Sequence, residues 1–452
     1  MMLKRHMDEA RKNAINSLCD LIKKEKEIER AVLIDDLFGS LRVVVWTKKE
    51  ASADQVQKLI DEQISQVSSP FWTGEIFLAS EGTDVDRLFY DSAWEEGRPV
   101  DQEDILRVTD RYRSRGSWLH SYGNPPWKID DDTEVSPPIV VFYSFKGGVG
   151  RSTALAAFAI QRARANERVC VVDFDLDAPG IGLLLSADQQ GTTSRWGVLD
   201  YLLERPHGEV DLHDYYHVCR RESVTRSGEI YVFPAGKANS GYLGKLARID
   251  FEQPDDGDEP HPLVLLFRQI REELCPDWIL IDARAGLSDP AGLLLSGIAH
   301  LYVIFGTSSE QSWQGLQLVL WRLGAERVRK NEPQLDCQLV QAMVTENLKA
   351  AKIAKADFAD RAKDEFTSNY YAEDPDDPDE DSKWYVRDLD DESAPHVPVA
   401  ISYQPWLAHF DDIDEIADKL TESIEHNALN ERIVMRFSKE EEEENGSNER
   451  TR

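Results

Sequence analysis

Short apolar runs alternate with longer, helix-like stretches throughout the chain beyond residue 138. The segments between these runs are long enough to hold crossover helices, which is the pattern of a mostly parallel sheet covered by helices on both faces. The larger part of the chain is therefore predicted to be an α/β domain. The apolar runs that predict its buried strands lie at 139–144, 168–174, 230–235, 278–283, 301–306, 339–344 and 397–402.

A smaller α/β pattern precedes this domain. Apolar residues at 41–47 and 75–79 predict strands, and residues 53–64 predict an amphipathic helix between them. The mixed charges of residues 1–30 predict a charged helix, and residues 83–122 predict further helical stretches. No motif in this part of the chain indicates a chemistry.

The domain boundaries follow from local composition. Residues 124–138 are rich in Pro and Asp and predict a linker. We therefore expect an N-terminal domain of unknown role at 1–135 and a second domain at 136–437. An acidic stretch at 372–394 is predicted to be a mobile insertion, and the Glu-rich tail at 438–452 is predicted to be disordered.

The overall negative charge disfavours anionic binding partners. The chain has 84 acidic and 52 basic side chains and a formal net charge of −32, which argues against binding to nucleic acid or to anionic lipid. Arg162, Arg164, Arg168 and the pair Arg220 and Arg221 could form a local basic patch, although solvated surface charge explains them better. No apolar run is long enough to cross a bilayer, and the N-terminus is charged, so we expect a cytoplasmic protein without a membrane helix.

Metal or disulfide chemistry has little support in the sequence. The five cysteines form no CxxC pair and are expected to be reduced, buried thiols. His213 and His217 lie four residues apart and could share one helix face as metal ligands. Because no third ligand is evident nearby, surface or packing roles are favoured for both histidines.

The strongest motif is VVFYSFKGGVGRSTALAAFA at 140–159. An apolar strand runs into a glycine-rich turn, and a helix follows at once. Gly147, Gly148 and Gly150 let the backbone curl so that N–H groups point inward, and the helix adds its positive N-terminal end. This arrangement predicts a cradle for the β- and γ-phosphates, with the Ser152 hydroxyl at the position that binds Mg²⁺ in a P-loop.

The string KGGVGRST resembles the deviant Walker A motif of the MinD/ParA family of P-loop ATPases (the SIMIBI class), which reads KGGxGK followed by Ser or Thr. It also resembles variant ATPases of bacteria that carry KGGVGR. The resemblance implies a MinD/ParA-like fold and an ATP-dependent homodimer in which Lys146 reaches the partner's nucleotide. It implies that the residues binding ATP are Lys146, Gly147, Gly148, Val149, Gly150, Arg151, Ser152 and Thr153.

One residue departs from the family pattern. Arg151 stands where the family has the lysine that embraces the phosphates of its own subunit. Arginine keeps the positive charge and offers a planar fork to phosphate oxygens, but it is longer and bulkier. We therefore expect ATP binding to persist and hydrolysis to be slow.

Two further strand ends carry carboxylates. In VVDFDLDAPG (171–180), the resemblance implies that Asp173 lies near the Mg²⁺ shell and that Asp175 orients or activates the attacking water, a role that Asp177 could take instead. The plain alternative is that these are strand-end carboxylates exposed to solvent. In WILIDARAG (278–286), Asp282 has the Walker B position, so the expected Mg²⁺ ligands are Ser152, Asp173 and Asp282.

Arg284 replaces the proline of the family's D-x-P-x-G segment. It could stabilise charge on the γ-phosphate or bridge to a surface carboxylate, and the sequence favours neither role. The residue that reads the base is similarly open among Thr345, Glu346 and Asn347, and Pro405 lies in the last loop, which could border the base.

The motifs together predict an ATP-binding, slowly hydrolysing ATPase that acts as an ATP-dependent dimerisation switch. Its N-terminal domain is expected to carry an unknown protein partner. The alternative is a nucleotide-responsive scaffold that binds ATP with little or no hydrolysis. Arg151 favours the scaffold, whereas the set of Asp173, Asp175 and Asp282 favours the ATPase.

Overall fold

The chain forms two separate units in the computed structural model, Met1–Arg115 and Gly116–Arg452. The structure describes residues 6–48, 52–100, 102–111, 117–119, 123–129, 136–251, 260–330, 332–373, 384–408 and 410–438. Within these ranges, no helix is both long enough and apolar enough to span a bilayer.

The first unit is a small sheet with helices on both faces. The sheet order is β3-β2-β1-β5-β4, with parallel pairs β1/β5 and β2/β3 and antiparallel pairs β1/β2 and β4/β5. Helices α1 and α2 pack on one face, and α3 packs on the other. Its elements are α1 Met7–Lys24, β1 Ile28–Asp35, β2 Leu41–Thr47, α2 Ala53–Ser68, β3 Trp72–Leu78, α3 Asp84–Glu96, β4 Arg98–Pro99 and β5 Leu106–Asp110.

Two predictions for this unit were confirmed only in part. The charged helix predicted at 1–30 is present as α1 but ends at Lys24, and the end of that range begins strand β1. The region 83–122, in which helical stretches were predicted, holds helix α3 and also strands β4 and β5, which were missed. Strand β1 lies in the middle of the sheet, so partners distant in sequence override the charged residues at its start.

The second unit contains the predicted, mostly parallel sheet. Its order is β13-β12-β11-β6-β10-β7-β9-β8, and every neighbouring pair is parallel except β8/β9. The predicted strands are all present, and short β8 was missed. The strands are β6 Ile139–Ser144, β7 Val169–Phe174, β8 His217–Cys219, β9 Ile230–Phe233, β10 Trp278–Ala283, β11 Leu301–Gly306, β12 Cys337–Val344 and β13 Val399–Ser402.

Helices cover both faces of this sheet. Alternate residues of β6 enter two cores: Ile139 and Val141 pack into one face, Val140 and Phe142 into the other. Such continuous apolar strands are typical of sheets buried on both sides. The helices are α4 Arg151–Arg164, α5 Ile181–Leu184, α6 Val198–Glu204, α7 Glu222–Thr225, α8 Tyr242–Leu246, α9 Pro262–Leu274, α10 Asp289–Leu294, α11 Glu310–Leu323, α12 Ala325–Arg329, α13 Leu348–Asn369, α14 Ala417–Glu422 and α15 Ile424–Met435.

Part of the predicted linker packs onto this unit. Trp127 is buried in one of the two cores, and its indole N–H donates to the carbonyl of Pro137 at 2.9 Å. Trp118 donates in the same way to the carbonyl of Ser288 at 2.8 Å. The division between the two units therefore falls after Arg115, whereas the sequence placed it near residue 135. Residues 130–135 lie outside the described ranges.

The acidic stretch at 372–394 is partly built into the fold. Ala372 and Tyr385 form a β-bridge, and the Trp384 indole N–H donates to Asp336 Oδ1 at 3.1 Å. The prediction of a mobile insertion is therefore wrong for residues 384–394, and its middle, 374–383, lies outside the described residues. Of the predicted disordered tail, only Ser438 is described.

Candidate functional site

A cavity of about 580 Å³ opens where β6 runs into α4. Parallel α/β sheets commonly bind ligands beyond the carboxyl ends of their strands, and this cavity has that position. Strands β6, β7 and β10 are neighbours there, so loops far apart in sequence contribute to one site. The lining residues are Ser144, Phe145, Gly147, Gly148, Val149, Gly150, Arg151, Ser152, Thr153, Asp175, Ala178, Arg284 and Ala285.

The loop between β6 and α4 has the backbone of a phosphate cradle. Gly148 and Gly150 have φ values of 71° and 84°, in the left-handed region that favours glycine. A Cβ atom added at Gly147, Gly148 or Gly150 would meet nothing within 4 Å, so the space over the loop is open. Helix α4 begins at Arg151 and points its N-terminal end at this space.

Arg151 contacts two carboxylates. Its Nε donates to Asp282 Oδ1 at 2.6 Å, and its Nη2 donates to Asp175 Oδ2 at 3.1 Å. The side chain is 8% exposed. Burial lowers the pKa of Arg151, but the charges of Asp282 and Asp175 outweigh this and raise the pKa above its ordinary value. The contact of Arg151 with phosphate that the sequence suggested stays a prediction.

Both oxygens of Asp282 accept hydrogen bonds from side chains of the P-loop segment. Ser152 Oγ donates to Asp282 Oδ2 at 2.6 Å, while Arg151 holds the other oxygen. Two residues predicted to hold Mg²⁺, Ser152 and Asp282, are thus in direct contact. Their oxygen atoms are the ligand type that Mg²⁺ prefers.

Asp173 fastens the loop that follows β7. Its Oδ2 accepts hydrogen bonds from the backbone N–H groups of Gly180 at 3.1 Å and Gly182 at 3.3 Å, and its Oδ1 accepts from that of Asp175 at 3.3 Å. Burial, followed by the nearby charge of Asp282, raises the pKa of Asp173 to about 8. The structure thus places this predicted Mg²⁺ ligand beside Asp282 but engages both its oxygens with the loop.

Asp175 lies between two guanidinium groups. Arg284 Nη1 donates to Asp175 Oδ1 at 3.1 Å, opposite the contact with Arg151, and Arg284 Nε lies 3.3 Å from Asp177 Oδ2. Two roles were considered for Arg284, and the structure shows a bridge between the carboxylates of Asp175 and Asp177. Asp173 and Asp175 are buried, so the alternative of solvent-exposed strand ends is wrong for them.

Lys146 contacts the start of helix α11. Its Nζ donates to Ser309 Oγ at 3.3 Å, and the lysine is absent from the described lining of the cavity. Ser309 is the N-cap of α11, where its hydroxyl also accepts from the N–H of Ser312. Sequence reasoning missed Ser309, although a Ser directly before a helix is a recognisable capping signal.

Phe145 is a second residue that sequence reasoning missed. It lines the cavity and packs against Gly315 in α11. A Cβ atom added at Gly315 would come within 3.0 Å of Cγ, Cδ1 and Cδ2 of the ring. The glycine therefore makes room for the aromatic side chain at the entrance to the loop.

The candidates for reading the base lie outside this cavity lining. Asn347 caps α13 by accepting from the N–H of Ala350 at 3.2 Å, and Thr345 Oγ accepts from the N–H of Asn347 at 3.4 Å. Glu346 is exposed, and Pro405 begins a short 3-10 helix. Their proposed role therefore stays a prediction.

The two histidines considered as metal ligands and the arginines of the suggested basic patch have other positions or partners in the structure. His213 lies in a 3-10 turn and His217 in strand β8, so the two do not share a helix face. The arginines of the suggested basic patch each have a partner in their own unit: Arg162 with Glu167, Arg164 with Asp418, Arg168 with the carbonyl of Leu274, Arg220 with Glu229 and Arg221 with Asp412.

All five cysteines are free thiols. Cys170, Cys219 and Cys337 are buried, as expected. Cys275 is exposed and Cys19 is half-buried, so the prediction of burial was wrong for these two.

Comparison with known proteins identifies relatives of the second unit. A family profile for the CobQ/CobB/MinD/ParA nucleotide binding domain matches residues 140–449. An uncharacterized ATP-binding protein of Methanocaldococcus jannaschii is 27% identical over 152 residues, or 33% of this chain. The match covers 46% of that protein, so the chain spans about half the length of this curated relative.

Solved structures of two proteins are similar at 17% identity and a TM-score of 0.40. One is the septum site-determining protein MinD of Pyrococcus horikoshii complexed with Mg-ADP, and the other is pNOB8 ParA bound to nonspecific DNA. Each similarity covers 67% of this chain, together with 97% of the first structure and 98% of the second.

Proposed function

The chain belongs to the CobQ/CobB/MinD/ParA nucleotide-binding family, and from this premise we propose that it is an ATP-dependent dimerisation switch with slow ATP hydrolysis. One observation carries the proposal. The open glycine cradle at the start of α4 lies beside Asp175 and Asp282, which are the groups that phosphoryl transfer to water requires.

The cradle supplies the phosphate contacts. The backbone of Gly147 to Thr153 surrounds the cavity, and the N-terminal end of α4 favours negative charge there. Because Gly148 and Gly150 leave open space above the loop, phosphate oxygens can approach the backbone N–H groups closely. We propose that the β- and γ-phosphates of ATP bind at this place.

The oxygen donors near the cradle are of the type that Mg²⁺ prefers, but Arg151 already engages one oxygen of Asp282. Ser152 and Asp282 would hold the ion, with Asp173 nearby, and the ion would neutralise charge on the phosphates when bound. Asp282 orients the Ser152 hydroxyl through a 2.6 Å hydrogen bond.

Hydrolysis is assigned to Asp175. A water oxygen attacks the γ-phosphorus, the bond to the bridging oxygen of ADP breaks, and Asp175 accepts the proton that the water loses. Both oxygens of Asp175 accept hydrogen bonds from arginines, Arg151 and Arg284. At least one of these contacts must loosen before Asp175 can take a proton, which supports slow turnover.

The dimer contact is assigned to Lys146. Its ammonium contacts Ser309, so the proposal requires it to leave this hydroxyl and reach a second subunit. A charge-assisted contact to the partner's γ-phosphate is strong where closing of two subunits excludes water. Dimerisation would then depend on ATP rather than ADP.

Light scattering with a non-hydrolysable ATP analogue tests the switch. We expect the wild type to dimerise with the analogue, and Lys146→Ala to bind the analogue yet stay monomeric. Lys352→Ala, which removes an exposed lysine from α13, is the matched control and should dimerise. A wild type that stays monomeric with the analogue, or a Lys146→Ala protein that dimerises equally well, contradicts the proposal.

A scaffold that binds ATP with little or no hydrolysis is the second candidate. The two arginine contacts of Asp175 favour it, because they hold the proposed proton acceptor in a fixed ion-pair network. Phosphate release by the purified protein distinguishes the two functions. In both cases we propose that the N-terminal unit carries an unidentified protein partner.

A further inference from the structure

A single guanidinium joins the two carboxylates beside the cradle. Arg151 donates through Nε to Asp282 at the end of β10 and through Nη2 to Asp175 after β7. The two aspartates lie 107 positions apart in the chain and come together because β10 and β7 are neighbours. Arg151 thus bridges two anions, as a bound cation would.

The oxygens that a metal ion would use are engaged by this bridge. Arg151 holds one oxygen of Asp282, and the Ser152 hydroxyl holds the other. Asp175 is likewise held on both oxygens, by Arg151 and by Arg284. Across the described residues, no three His, Cys, Asp or Glu side chains converge as a metal cage.

Burial makes this arrangement persistent. The side chains of Arg151 and Asp282 are 8% and 2% exposed, so water screens their attraction poorly. A guanidinium stays protonated under all ordinary conditions. Moving it away would leave a buried carboxylate without a counter-charge, which is strongly unfavourable unless another cation takes its place.

We infer that Arg151 occupies, from within the chain, the carboxylates that Mg²⁺ would otherwise use at this site, so that nucleoside triphosphate binds with little dependence on Mg²⁺. The inference rests on the proposed nucleotide binding. A divalent cation reaches Asp282 only in competition with Arg151. The metal is then a requirement of hydrolysis rather than of nucleotide loading.

The full-length chain and a fluorescent, non-hydrolysable ATP analogue test this. The Kd of the analogue is measured in EDTA and in millimolar Mg²⁺, for the wild type and for Arg151→Lys. We expect the two wild-type values to agree within about threefold, since Arg151 and Arg284 together already balance the charges of Asp175 and Asp282 without the metal. Arg151→Lys should bind the analogue at least about tenfold more tightly with Mg²⁺, because an ammonium lacks the fork that spans two carboxylates.

Arg162→Lys is the matched control, since Arg162 lies on the same helix but pairs with Glu167 away from the cavity. Its Kd values should match those of the wild type. A wild type whose affinity depends on Mg²⁺ as strongly as that of Arg151→Lys overturns the inference but leaves nucleotide binding intact. If the wild type binds the analogue in neither condition, the proposed function fails as well.

A metal titration of the wild type covers the case in which Arg151→Lys does not fold. Mn²⁺ binding to the nucleotide-free protein is followed by electron paramagnetic resonance. We expect no saturable binding at this site, because Arg151 occupies the carboxylates. Saturable binding of one Mn²⁺ that Asp282→Asn abolishes would overturn the inference.

Discussion

Replacing Gly315 with alanine should force Phe145 toward the nucleotide cavity. The added Cβ would come within 3.0 Å of three ring carbons. Carbon atoms in contact normally stay about 3.5–4.0 Å apart, so the ring must retreat by about 1 Å or more. Strand β6 holds the backbone of the preceding residue, and the space open to the ring lies on the side of the cavity.

Two opposing contributions set the size of the effect. Overpacking of this kind costs about 1–3 kcal/mol of folding stability. Replacing glycine by alanine inside a helix raises the folding stability by about 0.5–1 kcal/mol. The midpoints of these ranges leave a net loss of about 1 kcal/mol, which corresponds to a fall in Tm of about 1–2 °C for a unit as large as Gly116–Arg452.

Thermal unfolding followed by circular dichroism measures the stability. Titration with the fluorescent ATP analogue measures the nucleotide affinity of the cavity. We expect Gly315→Ala to lower the Tm and to weaken nucleotide binding. The same substitution in a Phe145→Ala background should instead raise the Tm, since the ring is gone and helix propensity alone acts. A Gly315→Ala protein that is as stable as the wild type and binds the analogue equally well would refute the packing argument.

Three further outcomes are expected. Asp175→Asn should still bind ATP but lower the rate of phosphate release on the order of 10²–10⁴-fold. Asp177→Asn should not lower this rate. Equal losses in both variants would contradict the assignment of the proton acceptor to Asp175 alone. Trp127→Ala should lower the free energy of unfolding of the second unit by about 3–5 kcal/mol, and an unchanged urea midpoint would contradict its place in that core. Burial lowers the pKa of several histidines, so below about pH 6.5 the unfolded chain takes up protons that the folded chain refuses, and this contribution to stability is lost as the pH falls. The raised pKa of Asp173 acts in the opposite direction, because the folded chain there keeps a proton that the unfolded chain releases. Replacing His426 with Gln should therefore make the Tm fall less, or rise more, from pH 7.5 to pH 5 than it does in the wild type, and an equal change in both proteins would contradict this. The histidines are His217, His261, His396 and His426.

The parts of the fold that the sequence predicted well are those with a strong local signal. Strands β10 and β11 have the predicted bounds because each is a continuous apolar run buried on both faces. Strand β1 was missed because charged residues at its start resemble the preceding helix, and only its place in the middle of the sheet makes it a strand.

The position of each site residue in the sequence was easier to predict than the direction of its side chain. The loop at 146–153 follows from its glycines. The contact of Arg151 with Asp282 joins residues 131 positions apart, and it depends on how β6 and β10 align in the sheet. Local spacing holds no information on that alignment, and the same is true of Phe145 against Gly315.

The short strand β8 has a consequence for how the protein behaves when concentrated. It closes one edge of the eight-stranded sheet with three residues, His217 to Cys219, and it runs against the direction of its neighbours. The other edge strand, β13, has four residues. Edge strands this short expose too few unpaired backbone groups to template an incoming strand, so intermolecular β-pairing at the edges of the eight-stranded sheet is disfavoured even though its interior strands are apolar throughout.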